Sequence, residues 1–224
     1  MDLYTTVLTT LGKEITAGVL QQGDVLNVDA LRERFGVSRS VVRESLRSLE
    51  SLGLVRARSK VGTKVTPESA WALLNPVVIG WRAASHYSEQ MIQMLEVRRG
   101  IEASAAQLCA QHMTNQESSQ LRGLGDELVA AVATGDGGRF LDADARFHRL
   151  ILEGSGNPII AQFADAVAAA LRSRQESRHA LFTETTQDGL RLHLDLAKAI
   201  EARDAELAAS IAGRIAEITL TEFL

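Results

Sequence analysis

Asp144 and His148 stand four residues apart, a spacing that puts both side chains on one face of a helix. A carboxylate oxygen and an imidazole nitrogen so placed can converge on one point. His193, in a later segment of helical pattern, is where a third donor from a facing helix would come from. An Asp-plus-imidazole set suits a divalent Zn, Ni, Mn or Fe and does not choose among them. The same spacing also serves an ordinary Asp–His hydrogen bond, and spacing alone leaves both readings open. A second set of side chains points to other chemistry. Arg39, Arg43 and Arg47 recur every fourth residue, so their guanidinium groups form one stripe along a helix. Such groups bond guanine edges or hold phosphates. Ser38, Arg39 and Arg43 lie at the start of that helix, the end that reaches bases in a recognition helix and whose positive dipole favours phosphate.

The elements that must position these side chains follow from periodicity. Leu3, Val7, Leu8, Leu11 and Ile15 predict a helix over 3–18. A short helix is expected from Asp29, as N-cap, to Phe35, and Gly36 breaks it. Ser38 caps a second helix to about Ser51, with Val41, Val42, Leu46 and Leu49 on its apolar side. After Gly53 the period changes: 54–58 and 63–66 read as two strands around 59–62, a basic hairpin with Gly62 at its tip. Lys60, Gly62 and Thr63 would bring that tip to the DNA backbone or minor groove. Helix, glycine turn, helix and basic hairpin, in that order, make a winged helix-turn-helix, an α+β unit. From about Ser69 onward the pattern is almost wholly helical, with expected helices over 69–84, 88–113, 115–134, 137–154, 157–182, 186–202 and 204–222. Trp71 and Trp81 are read as packing residues. The predicted architecture is mainly α, with a DNA-binding domain over 1–66 and an all-helical domain over 67–224.

Charge supports the division. The 224 residues carry a formal net charge of −4, yet residues 1–66 hold 10 Lys/Arg against 7 Asp/Glu, while the remainder holds 14 against 21. The positive charge is local, as a phosphate-binding face requires. No run approaches the roughly 20 apolar residues of a membrane span. The opening MDLYTTVLTT lacks the basic and apolar blocks of a signal peptide, and Cys109 is the lone cysteine. A cytoplasmic protein with no membrane partner is therefore expected.

The segment 35–65 resembles the winged helix of the GntR regulators. The residues that carry the resemblance are Gly36-Val37-Ser38-Arg39, Val42-Arg43-Glu44-Ser45-Leu46, Leu49-Glu50-Ser51-Leu52-Gly53-Leu54 and Gly62-Thr63. A departure stands upstream: Leu26-Asn27-Val28-Asp29-Ala30 occupies the place where the family often has Leu-Pro-Ser-Glu-Arg. Residues 70–220 resemble, more loosely, the FCD ligand-binding domain of the FadR-type branch. The residues concerned are Glu96-Val97-Arg98-Arg99-Gly100-Ile101-Glu102, Asp144-Ala145-Arg146-Phe147-His148, Gly156-Asn157-Pro158 and His193 through Ile200.

The resemblance implies a homodimeric transcriptional repressor that binds a pseudo-palindromic duplex operator. It also implies an antiparallel helical bundle that takes a small carboxylate effector. Metal-binding members use the equivalents of Asp144, His148 and His193 together with a further downstream His. Here Arg214 or Ile215 stands in that last place, so the site either holds a metal through three protein ligands or is metal-free, with Arg214 supplying charge to the effector. Arg98 matches the family arginine, which implies either a partner for the effector carboxylate or an ion pair with Glu102. Asn75 through Trp81, the missing last His and the ending Ile215-Ala216-Glu217-Ile218-Thr219 resemble the sugar-acid-responsive members, such as galactonate regulators. Asp144, His148 and His193 could also serve a metal hydrolase, but no nucleophile elbow, HExxH or phosphate loop accompanies them, and the reading is of a protein that is not an enzyme. A DNA binder with no effector is the third class, which a ligand screen separates from the others.

Overall fold

A computed structural model of the chain describes residues 2–58, 62–174, 182 and 186–223. It falls into two compact units, Met1–His86 and Tyr87–Leu224. Among the described residues, no helix is long and apolar enough to cross a membrane.

The first unit is built from α1 (Leu3–Thr16), β1 (Val25–Leu26), α2 (Val28–Phe35), α3 (Arg39–Ser51), β2 (Val55–Arg58), β3 (Gly62–Val65), a 3₁₀ turn (Glu68–Ala70) and the start of α4 (Pro76–His112). The helices begin where side-chain oxygens satisfy their free N–H groups. Asp2 accepts from the Thr5 N–H, Asn27 from those of Asp29 and Ala30, and Ser38 from that of Val41. The N-cap of α2 is thus Asn27 and not Asp29. The side chain two residues earlier reaches the first amides, while Asp29 already has its own N–H bonded within the turn. β3 lies between β1 and β2 in a small antiparallel sheet, with Arg56 opposite Lys64 and Leu26 opposite Thr63. β1 has only two residues, too few for the alternation that marks a strand in sequence. Gly53 turns the chain from α3 into the hairpin at φ +78°, and a Cβ there would lie 2.0 Å from the Ala70 carbonyl oxygen. Only glycine fits both demands.

Val7, Leu11, Ile15, Val42, Leu46, Leu49, Leu54, Val55, Val65, Val78 and Trp81 form the core of this unit. Trp81 packs flat against Gly12 of α1, where a Cβ would meet the indole at 2.4 Å. The helix expected over 69–84 starts only at Pro76. Proline cannot donate inside a helix but suits its first turn, and Asn75 caps it by accepting from the Val77 N–H at 2.9 Å. Residues 67–86 therefore fall in the first unit. α4 loses helical geometry at His86 (φ −128°, ψ 39°), where the first unit ends.

The second unit holds the rest of α4, then α5 (Asn115–Thr134), α6 (Gly137–Gly154), α7 (Pro158–Ala161), α8 (Ala164–Ser173), α9 (Thr186–Glu201) and α10 (Ala205–Leu220). α5 opens with a Thr114–Glu117 capping box. It packs on α6 across the two-residue link Gly135-Asp136, and α9 packs on α5 and α10. Short links make such neighbours antiparallel, so the helical bundle expected from the sequence is what forms. The single helix expected over 157–182 is broken. After Ala161 the chain closes two tighter bonds, Gln162 N–H to Ile159 O and Phe163 N–H to Ile160 O, before α8 begins. Residues 175–181 of that expected helix lie outside the described residues. Arg203, at φ +61°, turns the chain between α9 and α10. Its Nη1 donates to the Met113 carbonyl at 2.6 Å, satisfying an acceptor just past the end of α4.

Candidate functional site

The candidate DNA face is α3 with the hairpin. Val42, Ser45, Leu46 and Leu49 bury one side of α3, which leaves Ser38, Arg39, Arg43 and Arg47 exposed on the other. The helix is oriented by contacts to α1 on its buried side: Ser45 Oγ donates to the Tyr4 carbonyl at 3.4 Å, and Tyr4 and Ser48 hydroxyls share a 2.7 Å bond. Glu50 accepts from the Ala57 N–H at 2.8 Å and so ties α3 to β2. Arg56 and Arg58 are exposed and two apart on β2. Lys64 faces Arg56 across the ladder, so one face of the hairpin carries all three cations. Gly62 is exposed and Thr63 half-buried at the start of β3. Lys60 lies outside the described residues.

The second site is buried in the helical unit. α6 presents Asp144 and His148, α9 presents His193, and α4 presents Arg98 and Glu102, each at most 7% exposed. Asp144 Oδ1 lies 3.4 Å from His148 Nε2 and 3.3 Å from His193 Nε2, and the two Nε2 atoms are 3.2 Å apart. Three donor atoms thus form a nearly equilateral triangle. Each imidazole is turned so that Nε2 faces it. His193 Nδ1 donates to the Gly189 carbonyl at 2.7 Å, and Phe147 packs edge-on against its ring. His148 Nδ1 lies 2.9 Å from Glu102 Oε2, short enough for a charge-assisted contact although off the ideal line. Partners of this kind on the far nitrogen fix the tautomer that leaves Nε2 with its lone pair.

These atoms fit a divalent ion. Metal–ligand bonds of about 2.0–2.2 Å place neighbouring donors about 3.0–3.5 Å apart, the range spanned by the triangle. One carboxylate and two imidazoles leave positions open for other ligands. Arg98 adds a competing contact. Its Nε donates to Glu102 Oε1 at 2.8 Å, and its Nη2 lies 2.9 Å from His148 Nε2. Arg98 and a metal ion are alternatives for that one lone pair.

The electrostatics is tightly coupled. Burial alone would raise Glu102, but the Arg98 guanidinium and then His148 outweigh it and hold the carboxyl down to about 2. For Asp144 burial again works upward, and the hydrogen bonds and charges of His148 and His193 hold it well below the carboxylate range. Burial works against protonation of His148, yet the facing Glu102 carboxylate raises its pKa. Cys109 is buried and raised to about 12, an inert thiol.

Arg98, Asp144, His148 and His193 line one cavity together with Leu190 and Ile215. Of the two candidates for the absent fourth ligand position, Ile215 is at the cavity wall, and Arg214 is exposed on α10 and not part of it. The ion pair of Arg98 with Glu102 is present, and Arg98 lines the cavity as well. Sequence reasoning did not single out Arg174 and Glu222, which pair at 2.9 Å in the same wall, nor Thr186; Thr219, named there only as part of the chain's ending, also lines the cavity. A pair so distant in sequence carries no local motif. Glu102 was legible only as a partner four residues from Arg98, not as the group that orients His148.

A winged helix-turn-helix followed by an all-helical domain with a polar buried cavity defines a DNA-binding transcriptional regulator. Residues 3–65 match the model for bacterial regulatory proteins of the gntR family, and residues 93–217 match the FCD domain. The chain belongs to the GntR family, in the group that carries an FCD domain. It is 30% identical over 223 residues to the galactonate operon transcriptional repressor of Escherichia coli K12, covering 95% of this chain and 96% of the repressor. It is 31% identical over 192 residues to the uncharacterized regulator YieP of the same organism, covering 85% and 80%. The solved structure of Lar, which controls expression of the Listeria monocytogenes agr system, superposes with a TM-score of 0.70 at 17% identity, covering 100% of this chain and 97% of that one. This last likeness concerns the fold alone.

Proposed function

We propose that the protein is a homodimeric repressor whose affinity for a pseudo-palindromic operator is set by a small sugar acid bound in the cavity of the helical unit. A divalent metal held by Asp144, His148 and His193 completes the effector site. The observation that carries the reading is the convergence of three donor atoms within 3.2–3.4 Å beside a buried arginine. The metal would supply a Lewis-acid anchor for a carboxylate. Arg98 would give up His148 Nε2 and turn its Nη2 toward the same carboxylate. Charge balance supports a monoanion. Arg98, Glu102 and Asp144 together carry one net negative charge, a divalent ion makes it one positive, and one carboxylate neutralises it. The sugar-acid assignment is supported by the likeness to the galactonate operon repressor. At the other end of the chain, Arg39, Arg43 and Arg47 of each protomer enter successive major grooves, and Gly62 and Thr63 bring the hairpin to the backbone. Effector binding lowers operator affinity by favouring one of two states.

Thermal stability of the purified protein, measured against galactonate, related sugar acids and short organic acids with and without chelator, tests the reading. A ligand at 100 times its Kd adds about 2.7 kcal/mol. Stabilisation by a sugar acid that chelator abolishes is the expected result. Stabilisation by none of them overturns the effector assignment, and unchanged metal content in His148→Ala by elemental analysis overturns the metal site.

A further inference from the structure

Asp29 is an acidic side chain paired with Arg39, the first of the three arginines in the stripe on α3. It lies in the first turn of α2 and is more than half exposed. Its Oδ1 accepts from Arg39 Nε at 2.9 Å and lies 2.7 Å from Arg39 Nη2. A guanidinium is planar, and its Nε–H and one Nη2–H point from the same side edge. One carboxylate oxygen therefore holds that side edge. The terminal edge, formed by Nη1 and the second hydrogen of Nη2, is the edge that bonds O6 and N7 of a guanine bidentately. Arg39 is 61% exposed, at the first position of the recognition helix. Among the described residues, no carboxylate pairs with Arg43 or Arg47, which lie along the same stripe.

We propose that Asp29 is a positioning residue for specificity: it holds Arg39 by its side edge so that the terminal edge reads a guanine, and its negative charge keeps that guanidinium from serving as a phosphate clamp. An exposed ion pair contributes little to stability, so the role of the pair lies in recognition. A carboxylate beside a phosphate backbone costs affinity on every sequence. What it supplies is a fixed direction for one base reader.

The test uses the full-length protein and duplexes selected from a random pool by the parent. Affinity is then measured for the best site, for that site with each guanine replaced in turn, and for unrelated duplex, with parent, Asp29→Asn, Asp29→Ser, Arg39→Ala and the Asp29→Asn/Arg39→Ala pair. The expected result has three parts. Asp29→Asn and Asp29→Ser bind unrelated duplex as tightly as the parent or more tightly. Both lose about tenfold in preference for one guanine, a difference typical of one bidentate base contact. Arg39→Ala removes the same preference, and adding Asp29→Asn to it changes that preference no further. The proposal is overturned if Asp29→Asn tightens all duplexes equally with every base preference intact, which makes Asp29 a repulsive surface charge only. It is also overturned if the preferences lost in Asp29→Asn and Arg39→Ala fall at different bases or add. Thermal melts of each variant within about 2 °C of the parent show that the comparison is between folded proteins, and Asp29→Ser, a good helix-start residue, takes the place of Asp29→Asn if the latter fails that control.

Discussion

Replacing Glu102 with Gln keeps the shape of a side chain that is 1% exposed but removes the charge that balances Arg98. Oε1 accepts from Arg98 Nε at 2.8 Å, and Oε2 faces both Arg98 Nη2 at 3.4 Å and His148 Nδ1 at 2.9 Å. A glutamine amide can meet Nε with its oxygen, but its NH₂ then opposes two donors. Two routes give the size of the loss. The carboxyl is held down from 4.5 to about 2, which at 1.36 kcal/mol per pH unit corresponds to about 3 kcal/mol. Orphaning one member of a buried ion pair costs about 3–5 kcal/mol. For a protein of this size about 3 kcal/mol lowers Tm by about 6–12 °C. The assay is calorimetric unfolding at pH 7 with chelator present, so that metal linkage does not contribute. Arg98→Met combined with Glu102→Gln should recover part of the loss, because the uncompensated guanidinium is gone. A Tm for Glu102→Gln within 2 °C of the parent refutes the reasoning, as does a double variant less stable than the single one.

Further outcomes follow from the same structure. Arg43→Ala should weaken operator binding by about 1–3 kcal/mol if Arg43 reads a base, whereas a phosphate contact would weaken all duplexes uniformly and lower the salt slope by about 1; operator titrations at several salt concentrations separate the two. Gly53→Ala should destabilise the first unit by about 2 kcal/mol or more, since it adds a clash with the Ala70 carbonyl to a left-handed backbone. Gly18→Ala, also at positive φ but with open space around it, should cost only about 1 kcal/mol, and denaturant titration of both compares them. Glu102 and Asp144 are both held below their ordinary values in the folded protein. The stability they contribute is complete above the unfolded carboxylate values; the Glu102 share is lost as pH falls from about 4.5 toward 2, and the Asp144 share as pH falls below the ordinary carboxylate range. Melting curves of the chelated protein across that window should show a steep fall that Glu102→Gln makes shallower.

The DNA-reading unit was legible because each of its parts depends on local chemistry. Ser38 begins α3 through its own hydroxyl, Gly53 permits a turn no other residue fits, and Val42, Leu46 and Leu49 fix which side of α3 is buried. Asp144, His148 and His193 were legible as donors through spacing and residue type. Their convergence depends on how α5 packs against α6 and α9, which no periodicity encodes. Arg214 and Ile215 differ by one helical step of about 100°, so choosing the one that lines the cavity required the rotation of α10. The helix expected over 69–84 ignored what Pro76 implied, and the break after Ala161 has no proline or glycine to announce it. The Asp29–Arg39 pair joins two helices across the turn at Gly36, and helical periodicity within either one cannot reveal it.

Both tryptophans of the chain, Trp71 and Trp81, belong to the DNA-reading unit, while the cavity with its triad belongs to the other. Trp81 is 5% exposed against Gly12, so its indole emission reports whether that core is intact. The protein therefore carries its intrinsic optical probes in one unit and its candidate ligand pocket in the other. Any ligand-dependent change in tryptophan emission would be read from the unit that carries the recognition helix, which makes an unlabelled sample sufficient to watch the signal arrive.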